Sequence, residues 1–206
     1  FFVQDMASAI SVGVLDPHEN SVIVDTCAAP GGKSLAAAVL SGGKAEIHSF
    51  DLHESKLSLI RSGAERLGLN NISVARRDAT NPDPTLVGKA DRVICDAPCS
   101  GLGVLGKKPD LRYKDLSNME ELNALQLEIL TASSTYLKSG GYMVYSTCTL
   151  NPNENERIVE KFLSQNPSFE LVPFEVDGLM AKGGMLTLLP HIQICDGFFI
   201  AKIRRK

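Results

Sequence analysis

The amino-acid sequence predicts an α/β protein built on a doubly wound, mostly parallel sheet. Three observations carry this expectation. Short β-branched runs alternate with longer stretches of helical period, each strand-like run stops at small, acidic or thiol-bearing residues, and no repeat or low-complexity linker breaks the alternation. Strand and helix alternating at these lengths imply right-handed crossovers and a sheet covered on both faces. At about 150 residues per domain, the 206 residues form one domain, 1–206.

The elements follow in order. SVIVDTC (21–27) is a strand that stops at the small-residue turn AAPGG, and KSLAAAVLSGG (33–43) is a helix closed by glycines. AEIHSFD (45–51) is the second strand; in ESKLSLIRSGAERLGL (54–69), Leu57, Ile60, Ala64 and Leu67 share one helical face. ISVARRD (72–78) and ADRVICDAP (90–98) are the third and fourth strands. Residues 118–141 read as a long helix with a glycine stop, GYMVYSTC (141–148) as the fifth strand, and 151–166 as a further helix. FELVPF (169–174) and QICDGFFIAKIRR (193–205) read as closing strands.

Composition excludes several classes. No apolar run approaches the roughly 18 residues that a membrane span needs, so no membrane segment is expected. The five cysteines, Cys27, Cys95, Cys99, Cys148 and Cys195, are odd in number and form no CxxC pair or Cys/His cluster. Neither a disulfide framework nor a metal site is expected, and reduced thiols fit a cytoplasmic protein. The net charge of −3 offers no global attraction for nucleic acid, so such binding must rest on local basic groups.

In a doubly wound sheet, ligands sit outside the carboxyl ends of the strands. Here those ends carry DTCAAPGGK, Asp51, Asp78, DAPCS and STCT. GGKS is not a phosphate loop, because the required first glycine is replaced by Cys27. The GxGxxG of Gly101, Gly103 and Gly106 follows a strand, but Lys107, Lys108 and Pro109 stand where a helix must start, so a nicotinamide-dependent oxidoreductase is the weaker reading. What remains is a turn, Cys27, Ala28, Ala29, Pro30, Gly31, Gly32 and Lys33, whose backbone a ligand can approach closely. Asp51 is placed for a ribose diol and Asp78 lies toward an adenine. An adenosine ligand without phosphates, S-adenosylmethionine, fits that set; the competing reading of both acids is ordinary turn chemistry.

Cys99, three residues after Asp96, and Cys148 end two strands expected to be neighbours. A methyl donor, an acid and two thiols suit methylation of carbon 5 of a pyrimidine. A thiolate added at carbon 6 makes carbon 5 nucleophilic, a carboxyl at ring nitrogen 3 stabilises the developing charge, and a second thiol can help expel the first. Spacing does not say which thiol attacks, and either alone reads first as a small buried core residue; it is the pair at two strand ends beside the turn that favours chemistry. Cys95 and Cys195 read as packing thiols.

VQDMAS, DTCAAPGGKS, RRDAT, DAPCSGLGVLGKKPDLRY, ALQLEIL, GYMVYSTCTLNPNENE and DGFFIAKI together resemble the Sun family of RNA cytosine-carbon-5 methyltransferases. The resemblance covers nearly the whole chain. It implies a Rossmann-like methyltransferase fold with a seven-stranded sheet whose last hairpin makes one strand antiparallel. It also implies S-adenosylmethionine held by Cys27 to Lys33, Asp51, Asp78 and Asp96, with Asp96 at the boundary of cofactor and base. Cys148 is then the nucleophile and Cys99 assists product release. The substrate implied is RNA, ribosomal RNA of the small subunit before transfer RNA. Apart from the resemblance, Lys107, Lys108 and Arg112 adjoin the expected crevice as candidate RNA contacts, although such a cluster is more often a solvated face than a phosphate site. A monomer is expected. Because family members usually carry an N-terminal RNA-binding region and this sequence opens FFVQDMAS, a fragment is expected. A binding module without catalysis is the remaining alternative.

Overall fold

A computed structural model describes residues 2–206. Its elements are α1 (Met6–Leu15), β1 (Val22–Asp25), α2 (Gly32–Leu40), β2 (Glu46–Asp51), α3 (Glu54–Leu67), β3 (Ile72–Arg76) and β4 (Ala90–Asp96). There follow α4 (Met119–Ser134), β5 (Leu137–Thr147), α5 (Glu156–Gln165), β6 (Phe169–Leu171), β7 (Phe174–Val176), β8 (Leu179–Ala181), β9 (Met185–Leu188), α6 (Pro190–Gln193) and β10 (Phe198–Arg205). Five parallel strands lie in the order β3-β2-β1-β4-β5. β10 then runs antiparallel to β5, and its other edge is shared by β9 and β6. The sheet thus has the seven positions and the single reversed strand expected, with eight strands because two short ones fill the last position.

β1 reads VIVD, apolar on both faces, because helices cover both sides of a central parallel strand. On one side Ile129 and Leu130 of α4 and Ile158, Val159 and Phe162 of α5 pack on Val93, Met143 and Tyr145. On the other, α1 and α2 pack through Ala7, Ile10, Leu15 and Ala37 on Ile23, Ile94 and Val144. Full burial of a large apolar side chain such as Phe162 or Ile23 stabilises by about 1.5–3 kcal/mol. No helix among the described residues is long and apolar enough to cross a membrane.

Four local expectations are corrected. α1 is an additional element: Asp5 caps it by accepting from the Ala7 amide (2.9 Å), but its outward face is Met6, Ala9 and Gly13, so no polar face marks it. α4 ends at Ser134 instead of running to 141, because Tyr136 and Leu137 turn into the core and Leu137 pairs with Ala90 at the start of β5. Residues 169–174 split between β6 and β7 around Pro173, which has no amide to give a ladder. The last strand starts at Phe198, since Pro190–Gln193 forms a helical turn and Ile194 is left-handed (φ 53°).

Candidate active site

The chain leaves β1 toward β2 and leaves β4 toward β5, so a crevice opens at the carboxyl ends of β1 and β4. Its volume is about 520 Å³. Cys27, Ala29, Asp51, Asp78, Asp96, Cys99 and Cys148 all line it, and Leu52, Leu125 and Ile129 supply apolar wall. The turn after β1 is braced from β2: the Ala28 amide donates to the Phe50 carbonyl (2.7 Å) and the Ala29 amide to Asp51 Oδ2 (3.1 Å). Gly31 is left-handed (φ 110°), and a Cβ there would lie 3.2 Å from the Ile60 backbone. Asp51 Oδ1 accepts from the His53 amide (3.0 Å), which leaves the carboxylate with lone pairs for a diol in the crevice. The amide and hydroxyl of Thr80 donate to Asp78 Oδ1 and hold that carboxyl below its ordinary range.

A second recess, of about 240 Å³, lies on the other side of the same turn. Ala28, Pro30, Gly32 and Lys33 line this recess and not the larger crevice, while Cys27, Ala29 and Asp96 line both. The turn is therefore a partition between two spaces, a role its sequence did not reveal. Lys33 Nζ donates to Asp96 Oδ2 (2.6 Å) and sits 5.1 Å from the Phe198 ring centroid, while Ser146 Oγ donates to Asp96 Oδ1 (2.6 Å). Phe198 and Ser146 reach the site because β10 starts where β5 ends.

Asp25, also on this recess, was missed in the sequence, although an acid ending a buried apolar strand is itself a signal. It is fully buried; Ser34 Oγ donates to its Oδ2 (2.6 Å), and its Oδ1 has no partner. Burial pushes its pKa up to about 7 from 3.8. The stability linked to this proton is fully present below the ordinary value of 3.8 and is lost as pH rises through about 7. The melting temperature is expected to fall between pH 6 and pH 8, and less so in Asp25→Asn. Equal slopes in the two proteins would rule this out.

The two strand-end thiols meet: Cys99 Sγ and Cys148 Sγ are 3.2 Å apart. The hydrogen bond from Cys99 draws Cys148 below its ordinary value against the opposing effect of burial, with Lys33 assisting and Asp96 opposing. The same bond, with burial, pushes Cys99 up. Burial raises Cys27, Cys95 (to about 12) and Cys195, so Cys148 alone of the five thiols is shifted toward thiolate. This is chemistry for a nucleophile with a thiol donor beside it.

The basic residues are placed less uniformly. Lys107 donates to Asp196 (2.8 Å) and Asp5 (2.6 Å), which raise it to about 12, so its charge is already paired. Lys108 and Arg112 are exposed around a 3-10 turn, Pro109–Tyr113. The tail Lys202 to Lys206 runs to the far end of the sheet, where Arg204 pairs with Glu170. Gly103 is tightly held: its amide donates to the Cys148 carbonyl (2.9 Å), and a Cβ there would lie 1.9 Å from the Gly197 oxygen. No group of three or more His, Cys, Asp or Glu side chains among the described residues could hold a metal.

Residues 12–204 match the family described as 16S rRNA methyltransferase RsmB/F. The probable ribosomal RNA small subunit methyltransferase B of Bacillus subtilis is 39% identical over 99% of this chain and 47% of its own length. The corresponding protein of Synechocystis is 40% identical over 98% and 47%. The crystal structure of NSun6 from Pyrococcus horikoshii with SFG aligns with a TM-score of 0.88 at 34% identity, covering 100% of this chain and 53% of that one. The chain thus spans about half the length of the curated relatives it matches. With the match running from α1 to β10, the chain belongs to the 16S rRNA methyltransferase RsmB/F family.

Proposed function

We propose that the chain transfers a methyl group from S-adenosylmethionine to carbon 5 of a cytosine in RNA, most specifically ribosomal RNA of the small subunit, through a covalent Cys148 adduct. The observation that carries this reading is the contact of Cys99 Sγ with Cys148 Sγ at 3.2 Å, beside the Lys33–Asp96 ion pair. The names of the matched relatives support the RNA substrate. The larger crevice fits the cofactor: apolar wall for a purine at Leu52, Leu125 and Ile129, Asp51 for the ribose diol, and the Cys27–Ala29 backbone for the remainder. When bound there, S-adenosylmethionine supplies an electrophilic methyl group.

The base has to meet Cys148, which with Cys99 lines the larger crevice and not the recess; Asp96, on both, ties Lys33 to that place. Lys33, already compensated by Asp96, keeps further N–H donors for the ring's oxygen or nitrogen 3, where negative charge grows as the Cys148 sulfur bonds to carbon 6. This shifts to Lys33 the stabilising role expected of Asp96, whose two oxygens accept from Lys33 and Ser146. Once carbon 5 has taken the methyl, its proton must leave before the carbon–sulfur bond can break. Cys99, in contact with Cys148, is placed to assist that departure.

The test is product identity. The chain is incubated with unmodified small-subunit ribosomal RNA and labelled S-adenosylmethionine, and the digested RNA is analysed by mass spectrometry. 5-Methylcytidine is expected; a methyl group on an exocyclic nitrogen or on ribose would overturn the reading.

A further inference from the structure

Glu154 lies in the turn between β5 and α5, a stretch whose sequence reads as the head of a helix, and it has no exposed surface. Burying a carboxylate costs several kcal/mol unless hydrogen bonds replace the lost water. Here the replacement comes from neutral donors: the Ser100 amide (2.7 Å), Ser100 Oγ (2.6 Å), Gln126 Nε2 (3.1 Å), Thr149 Oγ1 (3.2 Å) and Asn151 Nδ2 (3.2 Å). Ser100 follows Cys99 and Thr149 follows Cys148, and their hydroxyls also meet at 2.9 Å. Gln126 grips the first loop a second time, donating to the Pro98 carbonyl (2.9 Å). The carboxylate's own backbone is anchored to β5 through Tyr145, whose hydroxyl donates to the Glu154 carbonyl (2.7 Å).

We propose that Glu154 is a positioning residue for the thiol pair: by gripping the residue after each cysteine, it holds Cys99 within hydrogen-bonding reach of Cys148. An acceptor-only group is what this place demands, since donors converge on it from both loops and from α4. A glutamine of the same shape would set its own N–H₂ against one of them. The inference rests on the pair being the reactive centre, but its test needs no RNA.

The sign of the effect separates positioning from simple charge. Removing a nearby negative charge makes a thiolate easier to form, so a purely electrostatic Glu154 would, on neutralisation, move Cys148 down. Loosening Cys99 removes the donor that stabilises the thiolate and moves Cys148 up. The other charged groups facing Cys148, Asp96 and Lys33, are untouched by the substitution.

The experiment follows iodoacetamide alkylation of Cys148 against pH in the intact chain, located by peptide mass spectrometry. The proteins are the parent, Glu154→Gln, Cys99→Ala and the double variant. In Glu154→Gln the inflection is expected to rise by about one pH unit, roughly tenfold slower alkylation at neutral pH. Cys99→Ala is expected to do the same, and the double variant to add nothing further. An unmoved or lowered inflection in a cooperatively melting Glu154→Gln, or additive shifts in the double variant, would overturn the proposal. If Glu154→Gln does not fold, Ser100→Ala removes one of the carboxylate's bonds and is read by the same rise or its absence. A raised inflection in a chain that methylates no cytosine would leave the positioning role standing and remove the proposed function instead.

Discussion

Cys148→Ala is expected to reduce methyl transfer by about 10⁴-fold or more, with binding of S-adenosylhomocysteine changed less than about twofold. The magnitude follows from the chemistry: without an added thiolate, carbon 5 of a cytosine is a poor nucleophile, and loss of a covalent nucleophile typically removes this much of a rate. The side chain lines the crevice beside Cys99, apart from the Ala28 and Ala29 amides that brace the turn, and Cys148 is held in place by backbone contacts that alanine keeps. Its carbonyl still receives the Gly103 amide and its loop is still fastened through Thr147 and Asn155. Incorporation of labelled methyl into RNA under single-turnover conditions is the measurement. Near-normal turnover would mean that no Cys148 adduct is on the path.

Cys99→Ala is expected to fail in the opposite way. The Cys148 adduct can form and carbon 5 can take its methyl, but the carbon–sulfur bond then breaks slowly. A protein–RNA species that survives denaturing electrophoresis should therefore accumulate to nearly one RNA per protein. With Cys148 also replaced, it should disappear. The loss of the Cys99 hydrogen bond makes Cys148 a scarcer thiolate at neutral pH, so adduct formation itself should slow by roughly the tenfold that one pKa unit represents. Absence of any adduct, with Cys148 intact and the RNA methylated, would remove Cys99 from product release.

Much of this architecture is written locally in the chain. β1, β2 and β4 are short strands that end in Asp25, Asp51 and Asp96, so the strands and two of those acids, Asp51 and Asp96, could be read together, while Asp25 passes as one more residue of its strand. The thiols were legible for the same reason. What was not legible depends on partners distant in sequence. Glu154 looks like a solvated helix-head acid until Ser100 and Gln126 arrive from other segments. Lys33 looks like one more residue of the cofactor turn until Asp96 and Phe198 draw it to the other side. α1 shows no amphipathic pattern because its outward residues, Met6, Ala9 and Gly13, are no more polar than its buried ones, and the α4–β5 junction escapes because Tyr136 and Leu137 answer to the core and not to helical period.

The contact of Gly103 with Gly197 and with the Cys148 carbonyl joins the loop after β4 to the start of β10 and to the proposed nucleophile. A strand of RNA that entered or left by displacing this loop would pull on the backbone of Cys148 itself. Residence time on the substrate and reactivity at the sulfur would then be set by one mechanical element, so a variant selected for faster release would carry a change in the timing of the chemistry with it.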